Sequence, residues 1–158
     1  MPLVQCDAPA RKESKPVLLT DGPDGLRRRV LVADDHPVNR RVIELILTQA
    51  NVETIMAENG VEALDAFRAG HFDLILMDMQ MPVMDGLTAT QEIRLLEMTE
   101  SRARTPIIML TANAMPEHIA AGRSAGVDHH LAKPFNAAEL LSLAADPSVL
   151  LKDQVAAA

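Results

Sequence analysis

Short runs of apolar residues alternate along this chain with segments whose apolar residues recur every three or four positions. Such runs are typical of strands buried on both faces of a parallel sheet, and such recurrences are typical of helices. The predicted strands begin at Arg29 and then cover residues 52–57, 74–77, 107–110 and 127–132. The predicted helices run from about Pro37 to Ala50 and then over residues 60–69, 86–97, 116–125 and 137–145.

The helical segments carry their own start and stop residues. Pro37 is favourable in a first turn, Asn51 can end the first helix in a left-handed conformation, and Gly126 closes the fourth. The apolar residues of the first helix recur at helical spacing: Val38, Val42, Leu45 and Ile46. Those of the third lie at i, i+4 and i+7, which predicts one inward face: Ala89, Ile93 and Leu96.

Five strands alternating with five helices predict a doubly wound α/β domain, a parallel sheet with helices on both faces. Periodicity does not give the strand order. The domain is predicted over residues 29–145, with a C-terminal tail over residues 146–158. Residues 1–28 mix Pro, Gly and charge and are interpreted as a linker or flexible tail, with Val17–Leu19 as a possible short strand.

Composition excludes several classes of function. The net charge of -7, with no Trp or Tyr, argues against a nucleic-acid partner, because such binding needs cationic and aromatic side chains. Cys6 is the single cysteine, which excludes an intrachain disulfide and favours a reducing compartment. No apolar run approaches the roughly 20 residues that span a membrane, and the N-terminus does not resemble a secretory signal. A cytoplasmic location is therefore expected.

Polar side chains stand where four of the predicted strands end: Asp34 and Asp35, Asp78, Thr111 and Lys133. Ligands of open α/β sheets bind at the carboxyl ends of strands, and the aspartates can meet only if the first and third strands are neighbours. Clustered carboxylates raise one another's pKa unless a cation lies among them, and Mg²⁺ is suited to that place. An aspartate can accept a phosphoryl group. Taken singly, these residues could instead be helix caps, a strand-end hydroxyl and a solvated charge.

The segments around these residues, LILMDMQMPVMDG, PIIMLTANAM and HLAKPF, resemble the receiver domains of two-component response regulators. They are most similar to receivers attached to hybrid histidine kinases. The resemblance implies a flavodoxin-like fold with strand order 2-1-3-4-5. It also implies a phosphorelay module that takes a phosphoryl group from a phosphohistidine onto Asp78, catalyses its own phosphorylation and dephosphorylation, and switches its surface for output or kinase regulation.

The resemblance also implies a role for each matching residue. Asp35 and Asp78 would bind Mg²⁺ directly, with the Gln80 backbone carbonyl as a third ligand, and Asp34 would act through water. Lys133 would bind Asp78 and the phosphoryl group. The peptide bond between Lys133 and Pro134 would be cis. Four residues would govern switching and phosphoryl lifetime: Thr111 closing on the phosphoryl oxygen, His130 at the usual aromatic switch position, and Gln80 with Asn113 beside the attacking water.

The expected partner is a histidine kinase or histidine phosphotransfer protein that docks on the first helix, where Arg40 is predicted to be exposed. If this chain is a fragment, its parent protein is expected to be a histidine kinase. The other domains of that parent are then further expected partners. A haloacid-dehalogenase-like phosphatase is the enzymatic alternative, but it needs an aspartate where Gln80 stands. A flavodoxin-like binding module is the other, but Asp34 and Asp35 would repel a phosphate without metal.

Two other metal sites are disfavoured by the pattern. His129 and His130 are adjacent on a strand and should point to opposite faces of the sheet. The alternating methionines around Asp78 are more consistent with packing of the strand and its loop than with a copper site.

Overall fold

The computed structural model describes residues 28–50, 52–112, 115–134 and 136–145. Most of the predicted linker, with Cys6 and the possible strand Val17–Leu19, lies outside these residues. So do Asn51, Asn113 and the predicted tail over residues 146–158. None of the helices in the described part is long and apolar enough to cross a membrane.

The five strands form one parallel sheet in the order β2-β1-β3-β4-β5, which confirms the predicted fold class. The strands are β1 Arg29–Ala33, β2 Glu53–Ala57, β3 Leu74–Asp78, β4 Ile107–Thr111 and β5 His129–Ala132. The helices are α1 Pro37–Thr48, α2 Gly60–Ala69, α3 Gly86–Thr99, α4 Pro116–Ala125 and α5 Ala137–Ala145. β5 begins two residues later than predicted and β2 one residue later, and the remaining differences are of one or two residues at the carboxyl ends of elements.

Apolar layers cover both faces of the sheet. One layer packs α1 and α5 against the strands through fully buried Ile43, Leu47 and Leu140. The other packs α2 and α3 through Phe67 and Ile93. The central strands β1, β3 and β4 are buried on both sides, which explains why their sequences are apolar runs without alternation.

Helix α1 turns an unexpected surface toward solvent. Ile43 and Leu47 face the sheet, whereas Val38, Val42 and Leu45 are 69%, 42% and 52% exposed. The apolar spacing that predicts this helix therefore lies mostly on its outer surface. An exposed apolar stripe of this kind is a common feature of protein docking surfaces.

A group of ion pairs centred on buried Asp128, at the amino ends of the strands, fixes α3 against β4 and β5. Arg94 donates to Asp128 at 2.7 Å and to Glu97 at 2.9 Å, and Arg104 donates to Asp128 at 2.8 Å. Asp128 also accepts the backbone N–H of Ile107, the first residue of β4. Arg94 and Asp128 are far apart in the sequence, so no local pattern predicts this arrangement.

Candidate functional site

The carboxyl ends of the strands surround a cavity of about 340 Å³. Its position is set by the reversal of strand order between β1 and β3, because the chain leaves these neighbouring strands toward opposite faces of the sheet. The predicted residues among its lining are Asp35, Asp78, Gln80, Thr111 and Lys133. Buried Asp34 lies directly behind them, so the structure brings all of these side chains to one place.

Three carboxylates meet at this cavity. Asp34, Asp35 and Asp78 each offer an oxygen, and these atoms lie within 4.8 Å of one another. Asp34 is fully buried, Asp78 is 7% exposed, and Asp35 is open to solvent. Among the residues that the structure describes, no other group of three carboxylate, histidine or cysteine side chains is arranged to hold a metal ion.

Lys133 links two of the carboxylates. Its Nζ lies 3.2 Å from Asp34 Oδ2 and 3.4 Å from Asp78 Oδ1. Asp34 also accepts the backbone N–H of His36 at 2.9 Å through its other oxygen. Asp34 is therefore largely committed to protein donors, whereas the carboxylate of Asp35 faces the cavity from an exposed position.

Within the described part of the chain, the three carboxylates of this cluster have only one ammonium group, that of Lys133, beside them, and the pKa of Asp78 is raised. Burial first, and then the negative charge of Asp34, raise the pKa of Asp78 from 3.8 to about 6. Lys133 and the backbone N–H of Gln80 act in the opposite direction but do not restore the usual value. A hard divalent cation fits this donor set, because it would supply the missing positive charge to clustered oxygen ligands.

The loop after β3 is tied to the strands beside the cavity. The amide of Met79 donates to the Leu110 carbonyl at 3.0 Å, and the amide of Gln80 points to Asp78 Oδ1 at 3.4 Å. Gly86 packs so closely on the backbone carbonyl of Asp78 that any side chain there would collide with it. The glycine of the Asp85-Gly86 turn thus allows α3 to begin directly under the acidic site.

Two histidines that the sequence analysis did not assign also line the cavity, namely His36 and His118. His36 precedes α1 and adjoins Asp35 in the sequence, so its position could have been found from that neighbour. His118 lies in the first turn of α4, which Pro116 begins. Nothing near His118 in the sequence indicates that this turn faces the cavity.

His130 on β5 lies between the sheet and α4. Its Nε2 is buried without a hydrogen-bond partner and packs against Gly122, where a side chain at position 122 would collide with the ring. Burial first, followed by the charges of His129 and Arg123, lowers the pKa of His130 below its usual value of 6.5. His129 pairs in register with Ile108 and His130 with Met109, so the two histidines are on opposite faces of the sheet.

Two further features concern the predicted partner surface and the lysine loop. The peptide bond between Lys133 and Pro134 is cis. Arg40, predicted to be exposed, has a side chain only 17% exposed, and it donates to the backbone carbonyl of Asp34 at 2.7 Å. That prediction was wrong, because the buried site draws this guanidinium inward, and Arg40 supports the site rather than offering a free docking contact.

Comparison with known proteins defines the class of protein. The model of the response regulator receiver domain family matches residues 30–145. The sensory/regulatory protein RpfC of Xanthomonas campestris is 35% identical over 149 residues, which are 90% of this chain and 20% of RpfC. The chain thus spans about a fifth of the length of this relative.

Solved structures agree with the sequence match. The receiver domain of the sensor histidine kinase PA1611 from Pseudomonas aeruginosa, with a magnesium ion in its active-site cleft, is 37% identical with a TM-score of 0.67. The alignment covers 74% of this chain and 93% of that one. The Saccharomyces cerevisiae receiver of Ssk1, solved with the histidine phosphotransfer protein Ypd1, is 28% identical with a TM-score of 0.69, covering 72% of this chain and 83% of that chain. The chain belongs to the response regulator receiver family, and its relatives include receivers of hybrid histidine kinases.

Proposed function

We propose that this domain accepts a phosphoryl group from a phosphohistidine onto Asp78 and changes its surface in response. One observation carries the proposal: Asp78 ends a buried strand at the switch point of the sheet, beside two further carboxylates and within 3.4 Å of the Lys133 ammonium group. Phosphoryl transfer depends on positioning and on neutralising charge, and this arrangement provides both.

Mg²⁺ is the proposed cofactor, since the three carboxylates have too little positive charge around them. We assign Asp35, Asp78 and the Gln80 carbonyl as direct ligands, and Asp34 as a ligand through water. The burial of Asp34 behind Lys133 and the exposure of Asp35 support this ranking. When bound, Mg²⁺ neutralises charge on the phosphoryl oxygens. The magnesium in the related receiver of PA1611 is consistent with the assignment.

The chain's own residues account for the transfer step. An Asp78 carboxylate oxygen attacks phosphorus, the bond from phosphorus to the donor's imidazole nitrogen breaks, and its electron pair returns to the imidazole ring. Lys133 favours the ionised form of Asp78 and attracts the phosphoryl oxygens. Thr111, buried at the end of β4, would then close on the phosphoryl group and free space that His130 can use. Gln80 and Asn113 would set the rate of hydrolysis.

The partner surface proposed here joins α1 to the acidic cavity. The exposed stripe of Val38, Val42 and Leu45 runs along α1, and a second cavity of about 320 Å³ is lined by Asn39, Val42, Lys133 and Pro134. Because Lys133 lines both cavities, a helical donor lying on the stripe would bring its histidine close to Asp78. The pairing of Ypd1 with the Ssk1 receiver supports a histidine phosphotransfer protein or histidine kinase as this donor.

Several broader assignments follow from the same proposal. We place the receiver domain at residues 29–145, between a linker and a C-terminal tail, in the cytoplasm. If the chain is part of a longer protein, that parent is a histidine kinase and its remaining domains are further partners.

The proposal is tested with a small phosphodonor such as acetyl phosphate and Mg²⁺, followed by intact-mass measurement. We expect one acid-labile phosphoryl adduct that requires Mg²⁺ and is lost in Asp78→Asn. Asp85→Asn is the matched control, since Asp85 lies in the same loop but caps α3, and it should still be labelled. Labelling of the Asp78→Asn protein at the normal rate would rule out Asp78 as the acceptor.

A further inference from the structure

Gly60, the first residue of α2, is in close contact with the loop of residues 79–85 that joins β3 to α3. Its amide donates to the backbone carbonyl of Met84 at 2.9 Å. A Cβ atom at position 60 would lie only 2.6 Å from that carbonyl oxygen and 2.8 Å from Met84 Cγ. Cβ atoms do not approach backbone oxygens so closely, so a side chain at position 60 requires one of the two segments to move.

The beginning of α2 is the less yielding of the two. The side chain of Asn59 accepts the amide of Glu62 at 2.9 Å, and the side chain of Glu62 accepts the amide of Glu58 at 2.8 Å. These reciprocal bonds resemble a capping box, which fixes the first turn of a helix. Gly60 is itself buried. A methyl group at position 60 should therefore displace the loop rather than the helix.

Displacement at Met84 would reach the acidic site because the loop is short and tied at both ends. The amide of Gly86 donates to the Met79 carbonyl at 3.0 Å, and the amide of Met84 donates to the Pro82 carbonyl at 2.7 Å. Val83, between them, has a positive φ of 69°, a constrained conformation for a β-branched residue. Gln80 lies inside this closed loop, so the loop has little freedom to absorb a shift before it reaches Gln80.

We propose that Gly60 is a positioning residue for the Mg²⁺ site. By allowing α2 to touch Met84, it holds residues 79–85 where the Gln80 carbonyl and the Asp78 carboxylate face the same cation. Gly60 acts through Met84 and touches neither the cation nor the phosphoryl group. This inference rests on the proposed function of Asp78 and Gln80, and it adds a residue from a different helix to that site.

The test compares Gly60→Ala with Gly70→Ala, a matched control at the other end of the same helix. The nearest atoms that a Cβ atom at position 70 would meet belong to the guanidinium group of Arg29, the closest at 3.0 Å. We expect Gly60→Ala to weaken Mg²⁺ binding roughly 10-fold or more, as for other residues that orient metal ligands, and Gly70→Ala to leave it unchanged. Amide NMR shifts without Mg²⁺ should move across residues 79–85 in Gly60→Ala alone.

A double variant tests whether the effect passes through Met84. Adding Met84→Gly to Gly60→Ala removes the side-chain collision and frees the backbone, so Mg²⁺ affinity should return toward that of Met84→Gly alone. If Gly60→Ala does not fold, recovery of a folded, Mg²⁺-binding double variant supports the same conclusion. A double variant that recovers neither folding nor affinity overturns the proposal.

Two results with the single variants would also overturn it: unchanged Mg²⁺ affinity in Gly60→Ala, or an equal loss in Gly70→Ala. Failure of the proposed function gives a different result. In that case the wild-type protein is not labelled at Asp78 by the phosphodonor, while the metal titration and the NMR shifts still report on Gly60.

Discussion

At the scale of single residues, Asp78 combines two properties that oppose each other. It is buried beside another carboxylate, which favours its protonated form, yet the proposed attack on phosphorus and the proposed metal binding both need its ionised form. Lys133 reduces this conflict only in part. The site is thus arranged for function at some expense of stability, as is common where charged groups are gathered for chemistry.

This conflict predicts how stability depends on pH. Without metal, the folded state holds the Asp78 proton up to about pH 6, whereas the unfolded chain releases it near 3.8. The folded state therefore binds more protons in this window, and the Asp78 contribution to the free energy of unfolding falls as the pH rises from about 4 to about 6. Above that window, we expect Asp78→Asn to be more stable than the wild type by roughly 1–2 kcal/mol.

Urea denaturation at a series of pH values in EDTA measures this difference. Asp65→Asn is the control, since the side chain of Asp65 is 68% exposed on α2. The stability gained by Asp78→Asn should grow between pH 4 and 6, level off above that, and shrink when Mg²⁺ is added. A gain that is the same at pH 4 and pH 8 would contradict the pKa assigned to Asp78.

His130 is the second residue whose environment makes a specific prediction. Its Nε2 is buried against Gly122 without a partner, and its pKa is lowered by burial, so a proton on this ring is disfavoured in the inward position. We expect the structural response of α4 and β5 to phosphorylation to weaken as the pH falls through the pKa of His130. In His130→Phe the part of the pH dependence that comes from this ring should be absent, because phenylalanine cannot be protonated.

The measurement follows NMR shifts caused by beryllofluoride, a phosphoryl mimic, in α4 and β5 across the histidine titration. His129→Gln is the control, since His129 lies on the opposite face of the sheet. It should retain the pH dependence of the wild type, apart from a small displacement of the midpoint. Equal, pH-independent shifts in the wild type, His130→Phe and His130→Ala would show that His130 has no part in the switch.

At the scale of elements, one face of α1 packs against the core and the other exposes an apolar stripe to solvent. A helix that only covers the sheet can carry polar side chains on its outer face. The exposed apolar residues Val38, Val42 and Leu45 are instead typical of a surface that binds another protein. Arg40, also on α1, has a side chain only 17% exposed and donates to the Asp34 carbonyl, which couples this helix to the acidic site. The surface where a donor would dock and the site of chemistry thus share one element.

This arrangement predicts separable effects of mutation. Leu45→Ala should slow phosphoryl transfer from a protein donor roughly 5-fold or more, the loss expected for an important interface side chain. Phosphorylation by acetyl phosphate should be unchanged. Leu95→Ala is a close control, because Leu95 is 53% exposed on α3 and Leu45 is 52% exposed on α1. Equal slowing in both variants, or slowing with both donors, would place the docking surface elsewhere.

At the scale of the whole molecule, the carboxyl and amino ends of the parallel strands differ in how their charges are arranged. The carboxyl ends of the strands hold the three aspartates, where like charges repel. The opposite ends hold a network of paired charges that is buried at Arg94, Glu97 and Asp128 and reaches solvent at Arg104. Loss of one partner there would leave a buried charge uncompensated. The helices and strands that carry the acidic site at one end are thus joined at the other end by paired charges.

The sequence by itself determined the number, kind and order of the elements and the residues that stand at the strand ends. These features are local: a strand buried on both faces must be an apolar run, and a polar residue that follows it stands out. Since parallel strands end at a common edge, Asp34, Asp78 and Lys133 could be expected together before any distance was known. The motifs around them, through their resemblance to receivers, also supplied the strand order.

Only the tertiary structure decided which surfaces meet. The spacing of Val38, Val42 and Leu45 is helical whether the stripe faces inward or outward. In the structure Ile43 and Leu47 pack against the sheet instead. The approach of His118 to the cavity, the pairing of Arg94 with Asp128, and the contact of Gly60 with Met84 each join distant parts of the chain. Such contacts depend on how whole elements pack, and periodicity within one element carries no information about the side chains of another.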